Sequence, residues 1–513
     1  MALPADPPPV LVVGAGPTGL ILALILTKNA IPVRIVDKKP GPSEESRAIA
    51  VQARTLELYQ GLGLAEEVVA GGYRIETVHL REGEQEIARI NLKSAGTGRS
   101  PFPFALAYPQ DAHERLLIQK LEDAGVKVEW GVSLADFTQD ETGVTVELEQ
   151  DGKRTSVTAA FLCGCDGGHS QVRHALGIPF VGDTYAQVFY VADAVLATPF
   201  STDIYANIGS AGIALAMPVR GGSRRVIGIV PSDLTKKSEL SELSMDDVRP
   251  SAEAALGVRV EHTNWFATYR IHHRVADKFR VGRCFLVGDA GHLHSPAGGQ
   301  GMNTGIGDAF NLAWKLEMVY KGAADETILS TYEAERRPFA LTLVATTDRV
   351  FRFIAGSDWL TRFLRIWVAP WIIRLIAATG LVQSTAFNTV SQLRIQYRAS
   401  PFSQGKAGRV VGGDRLPWMH DGDTDNFAKL GKGWQLHVYG TVEPDLSDEA
   451  ESLGLELVQF PFSAAAAQAG LAQDAAYLVR PDGYVSWVSA AQNEEELRAF
   501  VDRLSLRFAP GAT

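Results

Sequence analysis

Two glycine-rich stretches, each paired with a carboxylate, hold the residues of this chain best suited to chemistry. The first, Gly14-Ala-Gly16-Pro-Thr-Gly19, follows the apolar run Val10-Leu-Val-Val13 and opens an apolar segment. A glycine motif between a strand and a helix binds a pyrophosphate through backbone N–H groups at the helix N-terminus. Gly14 permits the tight turn, and Gly16 allows the phosphates to approach the backbone. Gly19 allows the helix to pack closely on the strand. Pro17 and Thr18 complete this predicted cofactor-binding loop.

Asp37 supports a dinucleotide site because it ends the next apolar run, Val33-Arg-Ile-Val36, 18 residues after Gly19. A carboxylate at this place accepts hydrogen bonds from the ribose hydroxyls of an ADP moiety and repels a 2′-phosphate. Lys38 follows it and is included in the predicted site. The motif and its carboxylate do not distinguish FAD from NAD.

The second stretch begins with Asp289, which follows the apolar run Phe285-Leu-Val287. In open α/β sheets ligands bind at the carboxyl ends of the strands, so Asp289 is expected to bind a sugar-alcohol chain, with a helix cap or turn role as the alternative. Pro296-Ala-Gly-Gly-Gln-Gly301 then presents minimal side chains before a helix that starts near Met302. A flat ring can lie against such backbone, and the helix N-terminus stabilises an anionic reduced flavin.

A third element, Cys165-Asp166-Gly167, also follows an apolar run and is followed by Arg173. Two interpretations stay open. Asp166 and Arg173 form a structural ion pair, or they shape the approach of the cofactor and of a nicotinamide.

The three motifs, in this order, resemble the single-component FAD-dependent aromatic hydroxylases, which are flavoprotein monooxygenases with one dinucleotide fold. The resemblance covers about residues 8–345. The stretch His294-Ser-Pro-Ala-Gly-Gly-Gln-Gly-Met-Asn-Thr-Gly is similar to the phenol, pentachlorophenol and polyketide hydroxylases. In that group a thioredoxin-like domain follows, and Asp414-Arg-Leu-Pro and Tyr477-Leu-Val-Arg-Pro-Asp-Gly resemble parts of it. The absence of a CxxC motif there implies a redox-inert domain.

The resemblance implies roles for individual residues. Arg47 would contact the cofactor and line its mobile position, Asp289 would hold the ribitol, and Pro296 would lie over the ring near the carbon that reacts with oxygen. The remaining residues implied to contact the FAD are Gln110, Arg115, Gly299, Gly301, Met302 and Asn303.

The resemblance also implies the reaction. NADPH or NADH, for which no second nucleotide fold is visible, would bind transiently and reduce the FAD. Oxygen would then give a C4a-hydroperoxyflavin that hydroxylates an electron-rich aromatic ring, with the protein orienting the substrate and excluding water.

A phenol reacts faster as its phenolate, so a base or proton relay near its oxygen is expected. Tyr269 is the first candidate, because a Tyr near this place contacts substrate in phenol hydroxylases. His272 and His273 would point to opposite faces of an extended segment, and His272 is taken as the second candidate. Ile49-Ala-Val-Gln52 lacks the acidic residue that some phenol hydroxylases carry here, which favours a larger, more apolar aromatic substrate.

The elements that must position these residues predict an α/β protein. We expect a Rossmann-like FAD-binding domain with an inserted antiparallel-sheet substrate domain, a helical segment and a C-terminal thioredoxin-like domain. The predicted FAD-binding domain comprises residues 8–75, 102–180 and 276–345, and the substrate domain residues 76–101 and 181–275. Residues 346–399 form the helical segment, residues of about 400–415 read as a linker, and residues 410–510 form the last domain.

Composition limits the partners. A net charge of −10 without a basic stripe argues against nucleic acid, and three cysteines without a metal or dithiol spacing indicate a reducing cytoplasm, small core residues and no metal site. Residues 360–382 are apolar but contain three arginines and a proline, so no stable membrane insertion is expected. They are expected to pack on another domain or a partner, with contact at a membrane surface as the alternative. The oligomeric state stays open, a homodimer included.

Three other functions are compatible with at least part of the sequence. A Baeyer–Villiger or epoxidising flavin monooxygenase acting on a polyketide-like substrate would use the same scaffold. A non-catalytic flavin-binding interaction protein is the second. A flavin-dependent halogenase is disfavoured because its Trp-x-Trp-x-Ile-Pro signature is absent.

Overall fold

The computed structural model describes residues 4, 6–43, 48–82, 85–197, 201–209, 212–237, 240–295, 298–355, 385, 387–431 and 433–508. Of the predicted site residues, Arg47 and Pro296 lie outside these ranges, as do residues 360–382, so their predicted roles stay predictions.

The strands of the described chain are numbered in chain order. The first twelve are β1 (Val10–Val13), β2 (Val33–Asp37), β3 (Ala50–Val51), β4 (Tyr73–Ile75), β5 (Thr77–Glu82), β6 (Gln85–Asn91), β7 (Ala105–Ala107), β8 (Val128–Trp130), β9 (Ser133–Gln139), β10 (Val144–Gln150), β11 (Lys153–Ala159) and β12 (Leu162–Gly164). The next eight are β13 (Phe180–Leu196), β14 (Ile204–Gly209), β15 (Gly212–Pro218), β16 (Arg224–Ile229), β17 (Val260–Ala276), β18 (Arg280–Val281), β19 (Cys284–Leu286) and β20 (His292–Leu293). The last eight are β21 (Lys406–Ala407), β22 (Val410–Val411), β23 (His420–Asp421), β24 (Thr424–Asp425), β25 (Gln435–Tyr439), β26 (Glu456–Phe460), β27 (Ala476–Val479) and β28 (Val485–Ser489).

The helices are numbered in the same way. They are α1 (Pro17–Lys28), α2 (Ala53–Gly61), α3 (Ala65–Gly71), α4 (Leu92–Gly96), α5 (Gln110–Asp123), α6 (Gln171–Ala175), α7 (Leu234–Lys237), α8 (Met245–Leu256), α9 (Gly301–Tyr320), α10 (Ser330–Ala355), α11 (Pro444–Leu453), α12 (Ala464–Ala469) and α13 (Glu494–Arg503).

A six-stranded sheet in the order β18-β19-β12-β1-β2-β8 forms the centre of the nucleotide-binding part. Five of its strands run parallel, and only β18 is antiparallel to its neighbour. Strands β1 and β12 are buried at every position, as expected for parallel strands covered on both faces. Helix α1 packs against α5 and α9. The order brings the carboxyl ends of β1, β12 and β19 side by side.

An eight-stranded sheet, β20-β17-β13-β16-β15-β14-β5-β6, adjoins it, and all its pairs except β14–β5 are antiparallel. It combines the hairpin β5–β6 with strands from after residue 180, which supports the proposed two-segment substrate domain. One face of the sheet is covered by α8, through a cluster that includes Tyr190, Val226 and Val248. The predicted α/β class with an antiparallel sheet is confirmed.

The C-terminal unit is a four-stranded sheet in the order β26-β25-β27-β28. Strands β25 and β26 are parallel and joined through α11, and β27 and β28 form an antiparallel pair before α13. This order of elements is compatible with the thioredoxin-like unit expected from the sequence, which stays a prediction. The linker predicted at about 400–415 is wrong, because this segment forms the hairpin β21–β22 and adds bridges such as Gln404 to Trp487. Its glycines serve close backbone approach rather than flexibility; a Cβ at Gly405 would lie 1.9 Å from the Val488 carbonyl oxygen.

The three cysteines, Cys163, Cys165 and Cys284, are buried and form no disulfide, and the burial of Cys163 and Cys165 confirms their prediction as small core residues. Within the described ranges, no helix is both long enough and apolar enough to cross a membrane. The same residues contain no cluster of three or more His, Cys, Asp or Glu arranged to hold a metal ion.

Candidate active site

The loop of residues 14–19, called here the first glycine loop, leaves β1 at the centre of the parallel sheet. Gly14 has φ +106°, and a Cβ there would lie 2.3 Å from the Cys165 carbonyl oxygen. A Cβ at Gly19 would lie 1.9 Å from the Gly14 carbonyl oxygen, so both positions exclude a side chain. At Gly16 nothing lies within 4 Å of the added atom. The loop is therefore packed against protein at its ends and open at Gly16, where the phosphates are expected.

Asp37 lies at the end of β2 and fixes this loop. Its Oδ2 accepts from the Ala15 backbone N–H at 2.7 Å, and its Oδ1 accepts from the Lys39 N–H at 2.8 Å. A carboxylate offers about four acceptor positions, so lone pairs remain for ribose hydroxyls. Lys38 is exposed beside it. The ribose role of Asp37 stays a prediction that this placement supports.

Thr18, in the first turn of α1, joins the two glycine-rich regions. A Cβ at Gly288 would lie 2.8 Å from its Oγ1, and one at Gly305 would lie 2.3 Å from the same atom. Helix α1, which begins at Pro17, therefore approaches both the end of β19 and the start of α9 without room for a side chain. Thr18 accordingly packs the two regions together.

Asp289 is exposed at the carboxyl end of β19, immediately after Gly288, whose φ is +63°. Because β19 and β1 flank β12, Asp289 lies on the same sheet edge as the first glycine loop. This edge is the place where open α/β sheets bind ligands. The predicted ribitol-binding role is thus compatible with its position.

Asp166 lies between them, at the end of β12. Its Oδ2 accepts from the backbone N–H groups of Gln171 and Val172, at 2.7 and 3.2 Å, and so holds the start of α6. Its Oδ1 is buried without a hydrogen-bond partner, and burial raises the pKa of this carboxyl. Arg173 does not bond to Asp166; its guanidinium donates to the carbonyls of Ala290 and Gly168. The direct ion pair considered from the sequence is therefore wrong, because the guanidinium satisfies backbone oxygens instead.

Residues 298–301, called here the second glycine loop, lead into α9. Gly298 and Gly299 have positive φ, and a Cβ at Gly299 would lie 2.7 Å from the Cβ of Ala50. At Gly301 the nearest atoms to an added Cβ belong to His294, at 3.8 and 3.9 Å, so this position is uncrowded. Met302 is half-buried on the first turn of α9. Bare backbone and the N-terminus of α9, whose first N–H groups have no partner within the helix, therefore lie next to each other here.

Asn303 has a different role from the one predicted for its side chain. Its Oδ1 accepts from the Gln52 N–H at 2.8 Å and from the Thr55 hydroxyl at 2.7 Å. Its Nδ2 donates to the carbonyls of Ala50 and Gly299, both at 2.8 Å. Two lone pairs and two N–H groups are the whole hydrogen-bonding capacity of a carboxamide. We therefore assign the Asn303 side chain to holding the second glycine loop, which leaves only its backbone for a flavin.

Two further predicted residues lie on α5. Gln110 is bonded to Ala48 through backbone and side chain, its Oε1 accepting from the Ala48 N–H at 3.2 Å. It thereby anchors the residue that follows Arg47. Arg115 is exposed and donates to Asp111, one turn away, at 2.6 Å. Its predicted contact with the cofactor has no support in this geometry.

The base candidates lie on β17, on opposite faces. Tyr269 packs with Phe189 and Ile271 on the face that also carries Ile227. Ile227 in turn contacts the cluster around Ile49, so this face is directed toward the segment after Arg47. His272 lies on the other face, where its Nδ1 is 2.7 Å from the Thr184 hydroxyl. Burial and the neighbouring cations Arg274 and Arg270 lower the pKa of His272. The structure therefore does not bring Tyr269 and His272 into one site.

The sequence as a whole matches known families along most of its length. Residues 8–347 match the family model described as FAD binding domain, and residues 409–505 match the model of the aromatic-ring hydroxylase C-terminal domain. The chain belongs to the FAD-dependent aromatic hydroxylases.

Individual relatives agree with this membership. The hydroxylase is 40% identical to the 6-methylpretetramide 4-monooxygenase of Streptomyces rimosus over 359 residues, which cover 68% of this chain and 63% of that enzyme. It is 32% identical to the pentachlorophenol 4-monooxygenase of Sphingobium chlorophenolicum, over 80% of this chain and 75% of that enzyme. The solved structure of the OxyS anhydrotetracycline hydroxylase from Streptomyces rimosus is similar with a TM-score of 0.77 at 27% identity, covering 98% of this chain and 99% of that one.

FAD as the cofactor is confirmed by this membership, and the residues of the hydroxylase fit it. The open side of Gly16 leaves room for phosphates, and Asp289 presents a carboxylate on the same sheet edge. The unpartnered Oδ1 of Asp166 and Nε2 of His294 are buried polar atoms beside these two glycine-rich regions. Such orphaned atoms in a folded protein indicate a missing ligand or water.

A buried group behind the second glycine loop was not predicted from the sequence. Asp308, inside α9, accepts from the Arg336 Nε at 2.5 Å and from the Gly288 N–H at 3.1 Å, and lies 2.7 Å from Nε2 of His292. Burial alone would raise the pKa of Asp308, but Arg336 and His292 outweigh it and hold that pKa below its usual value. The signal in the sequence was a carboxylate between the apolar residues Ile306 and Phe310 of α9.

Proposed function

We propose that this hydroxylase uses NADPH or NADH and O2 to hydroxylate a phenolic, polycyclic aromatic substrate. The observation that carries the proposal is the convergence, on one sheet edge, of the open Gly16 loop, the Asp289 carboxylate and the N-terminus of α9. When bound, FAD supplies the activation of oxygen. The protein's own residues bind and orient the cofactor and the substrate and exclude water.

The substrate class is supported by the apolar face of the eight-stranded sheet. The half-buried Tyr269 packs on the buried side chains of Phe189 and Ile271, next to the Ile49 segment, so the side chains at this place are apolar and aromatic. No carboxylate lies at positions 49–52, whose side chains are those of Ile, Ala, Val and Gln. Relatives named for 6-methylpretetramide and anhydrotetracycline are consistent with a substrate of several fused rings.

Tyr269 is the residue proposed to contact the substrate phenol. Its hydroxyl can donate to or accept from a phenolic oxygen, and its ring packs 6.0 Å from that of Phe189. His272 is assigned no catalytic role, because it lies on the other face and is bonded to Thr184.

The test is oxygen-dependent turnover by the purified protein. We expect a yellow holoprotein whose NAD(P)H oxidation is stimulated by fused-ring phenols more than by phenol itself. Under ¹⁸O2 the product should gain one labelled oxygen as a ring hydroxyl, identified by mass spectrometry and NMR. A product with oxygen inserted between ring carbons, or an epoxide, would establish the alternative monooxygenase reactions. Absence of bound flavin together with absence of oxygen-dependent turnover would contradict the proposal.

A further inference from the structure

A row of carboxamide side chains surrounds the second glycine loop. The Gly298 carbonyl accepts from Nε2 of Gln52 at 2.8 Å and from Nε2 of Gln300 at 3.1 Å. These residues precede the first turns of α2 and α9, respectively. The loop is therefore held both by its own residue Gln300 and by Gln52, which comes from the start of α2.

Gln392 extends this row from a distant part of the chain. Its Nε2 donates to Oε1 of Gln300 at 2.7 Å and to the Thr304 hydroxyl at 3.0 Å. Both bonds are buried, and Gln392 itself is 4% exposed. Accepting from Gln392 orients the Gln300 carboxamide, because its oxygen must face Gln392 while its nitrogen faces the Gly298 carbonyl.

The neighbours of Gln392 are docked at the same place. The Val390 carbonyl accepts from Nε2 of Gln300 at 2.7 Å, and the Ser391 carbonyl accepts from the Arg54 N–H at 3.2 Å. Gln392 has φ +61°, a conformation that costs a non-glycine residue free energy. The contacts of Val390, Ser391 and Gln392 with Gln300 and Arg54 hold the segment in this conformation.

We propose that Gln392 is a positioning residue for the flavin: it fixes the Gln300 carboxamide, and through it the Gly298 carbonyl and the course of the second glycine loop. This inference rests on the proposed placement of the flavin ring along that loop. It gives residues 390–392, near the end of the predicted helical segment 346–399, a direct connection to the second glycine loop.

The test compares two matched variants. Gln392→Asn keeps a residue that tolerates positive φ but shortens the side chain by one methylene, so the amide no longer reaches Gln300. Gln492→Asn is the control, because Gln492 also has a positive φ of 52°, is 3% exposed and donates to two carbonyls at 2.7 Å, but within the C-terminal unit. Gln392→Asn removes two hydrogen bonds and Gln492→Asn three, because Oε1 of Gln492 also accepts from the Glu443 N–H at 2.9 Å, and both residues have a similar backbone conformation.

The readouts are the dissociation constant of FAD from the reconstituted apoprotein, the visible spectrum of the bound flavin and its midpoint potential. We expect Gln392→Asn to weaken FAD binding about tenfold and to alter the spectrum, since two buried hydrogen bonds are lost. Gln492→Asn should lower thermal stability to a similar extent and leave the flavin unchanged. Equal flavin properties in the two variants would overturn the proposal.

Two further variants secure the interpretation. Thr304→Val removes one acceptor of Gln392 and also the hydroxyl's own bond to the Gln300 carbonyl at 3.0 Å, so it loosens the same contact from the side of α9. It should weaken FAD binding about threefold even if Gln392→Asn does not fold. Wild-type affinity in Thr304→Val would then count against the proposal. Gly301→Ala fits the protein without a clash, so a changed flavin in that variant reports the ring's contact with the loop. If Gly301→Ala changes the flavin and Gln392→Asn does not, only the role of Gln392 fails. If neither does, the placement of the flavin fails.

Discussion

His292 and Asp308 form a buried pair that connects the two ends of the candidate flavin site. Nε2 of His292 lies 2.7 Å from Oδ2 of Asp308, and both side chains are 1% exposed. The same oxygen accepts from the Gly288 N–H, next to Asp289, while Oδ1 accepts from Arg336. One carboxylate thus ties the end of β19 to α9 and α10.

Asp308→Asn should destabilise the protein and release FAD. The substitution leaves the Arg336 guanidinium buried without its counter-charge, for which we expect a cost of about 3–5 kcal/mol in the free energy of unfolding. Urea denaturation measures this loss, and the flavin-to-protein absorbance ratio reports FAD content. A variant with wild-type stability would contradict the structural role of the pair.

Asp289→Ala should weaken FAD retention sharply without a comparable loss of stability, because Asp289 is exposed on the ligand-binding edge of the sheet. Losing a hydrogen bond to a charged acceptor weakens binding roughly 10- to 100-fold. Arg115→Ala is the matched control, since Arg115 is exposed and paired only with Asp111 among its described contacts. Fluorescence titration of the apoproteins with FAD measures both. An unchanged constant in Asp289→Ala would refute its assigned role.

Tyr269→Phe should reduce hydroxylation while leaving bound FAD intact. The variant keeps the ring packed on Phe189 and removes only the hydroxyl, so kcat for product is expected to fall by about 100-fold, the lower range for a positioned proton-transfer group. Hydrogen peroxide released per NAD(P)H consumed should rise as substrate is oxidised less often. His272→Ala, on the opposite face of β17, should retain most of the hydroxylation. The reverse pattern would assign the substrate contact to His272.

Glu335→Gln should destabilise the junction between α10 and the C-terminal unit. Glu335 is fully buried, 2.8 Å from Nζ of Lys315 and 2.8 Å from the Arg480 guanidinium. Burial opposes its ionisation, but Arg480 and Lys315 outweigh burial and lower the pKa of Glu335 below its usual value. A carboxyl with a lowered folded pKa stabilises the protein above its unfolded pKa of about 4.3, and that stability is lost as the pH falls further.

We therefore expect the free energy of unfolding to decrease below about pH 4.3 in the wild type, with a smaller slope in Glu335→Gln. The variant should lose about 3–5 kcal/mol at neutral pH, measured by denaturant unfolding across pH. The exposed pair of Lys93 and Glu76 provides the control, and Glu76→Gln should leave the curve unchanged. Identical pH profiles of Glu335→Gln and the wild type would exclude this role.

The sequence by itself determined the parts of the protein that local chemistry fixes. Two features can be predicted without knowing any distant contact: the strand–glycine–helix order around Gly14–Gly19, and the carboxylate Asp289 at the end of a strand. Backbone conformation and strand direction determine both. The match of motifs along the chain was enough for the FAD-dependent class. Alternation along an extended β17 also predicted that His272 and His273 face opposite ways.

Only the tertiary structure decided which polar side chains already have hydrogen-bond partners within the protein and so are not available to a ligand. The Asn303 side chain makes four hydrogen bonds, with Gln52, Thr55, Ala50 and Gly299, which is its full capacity. Arg115 is exposed and bonded to Asp111. The spacing of residues in the sequence reveals neither fact. The segment that reads as a linker packs as a hairpin against β28. The link from Gln392 to Gln300 joins residues 92 positions apart. Hydrogen bonds of this kind depend on how separate elements meet, and that is set by packing rather than by local sequence.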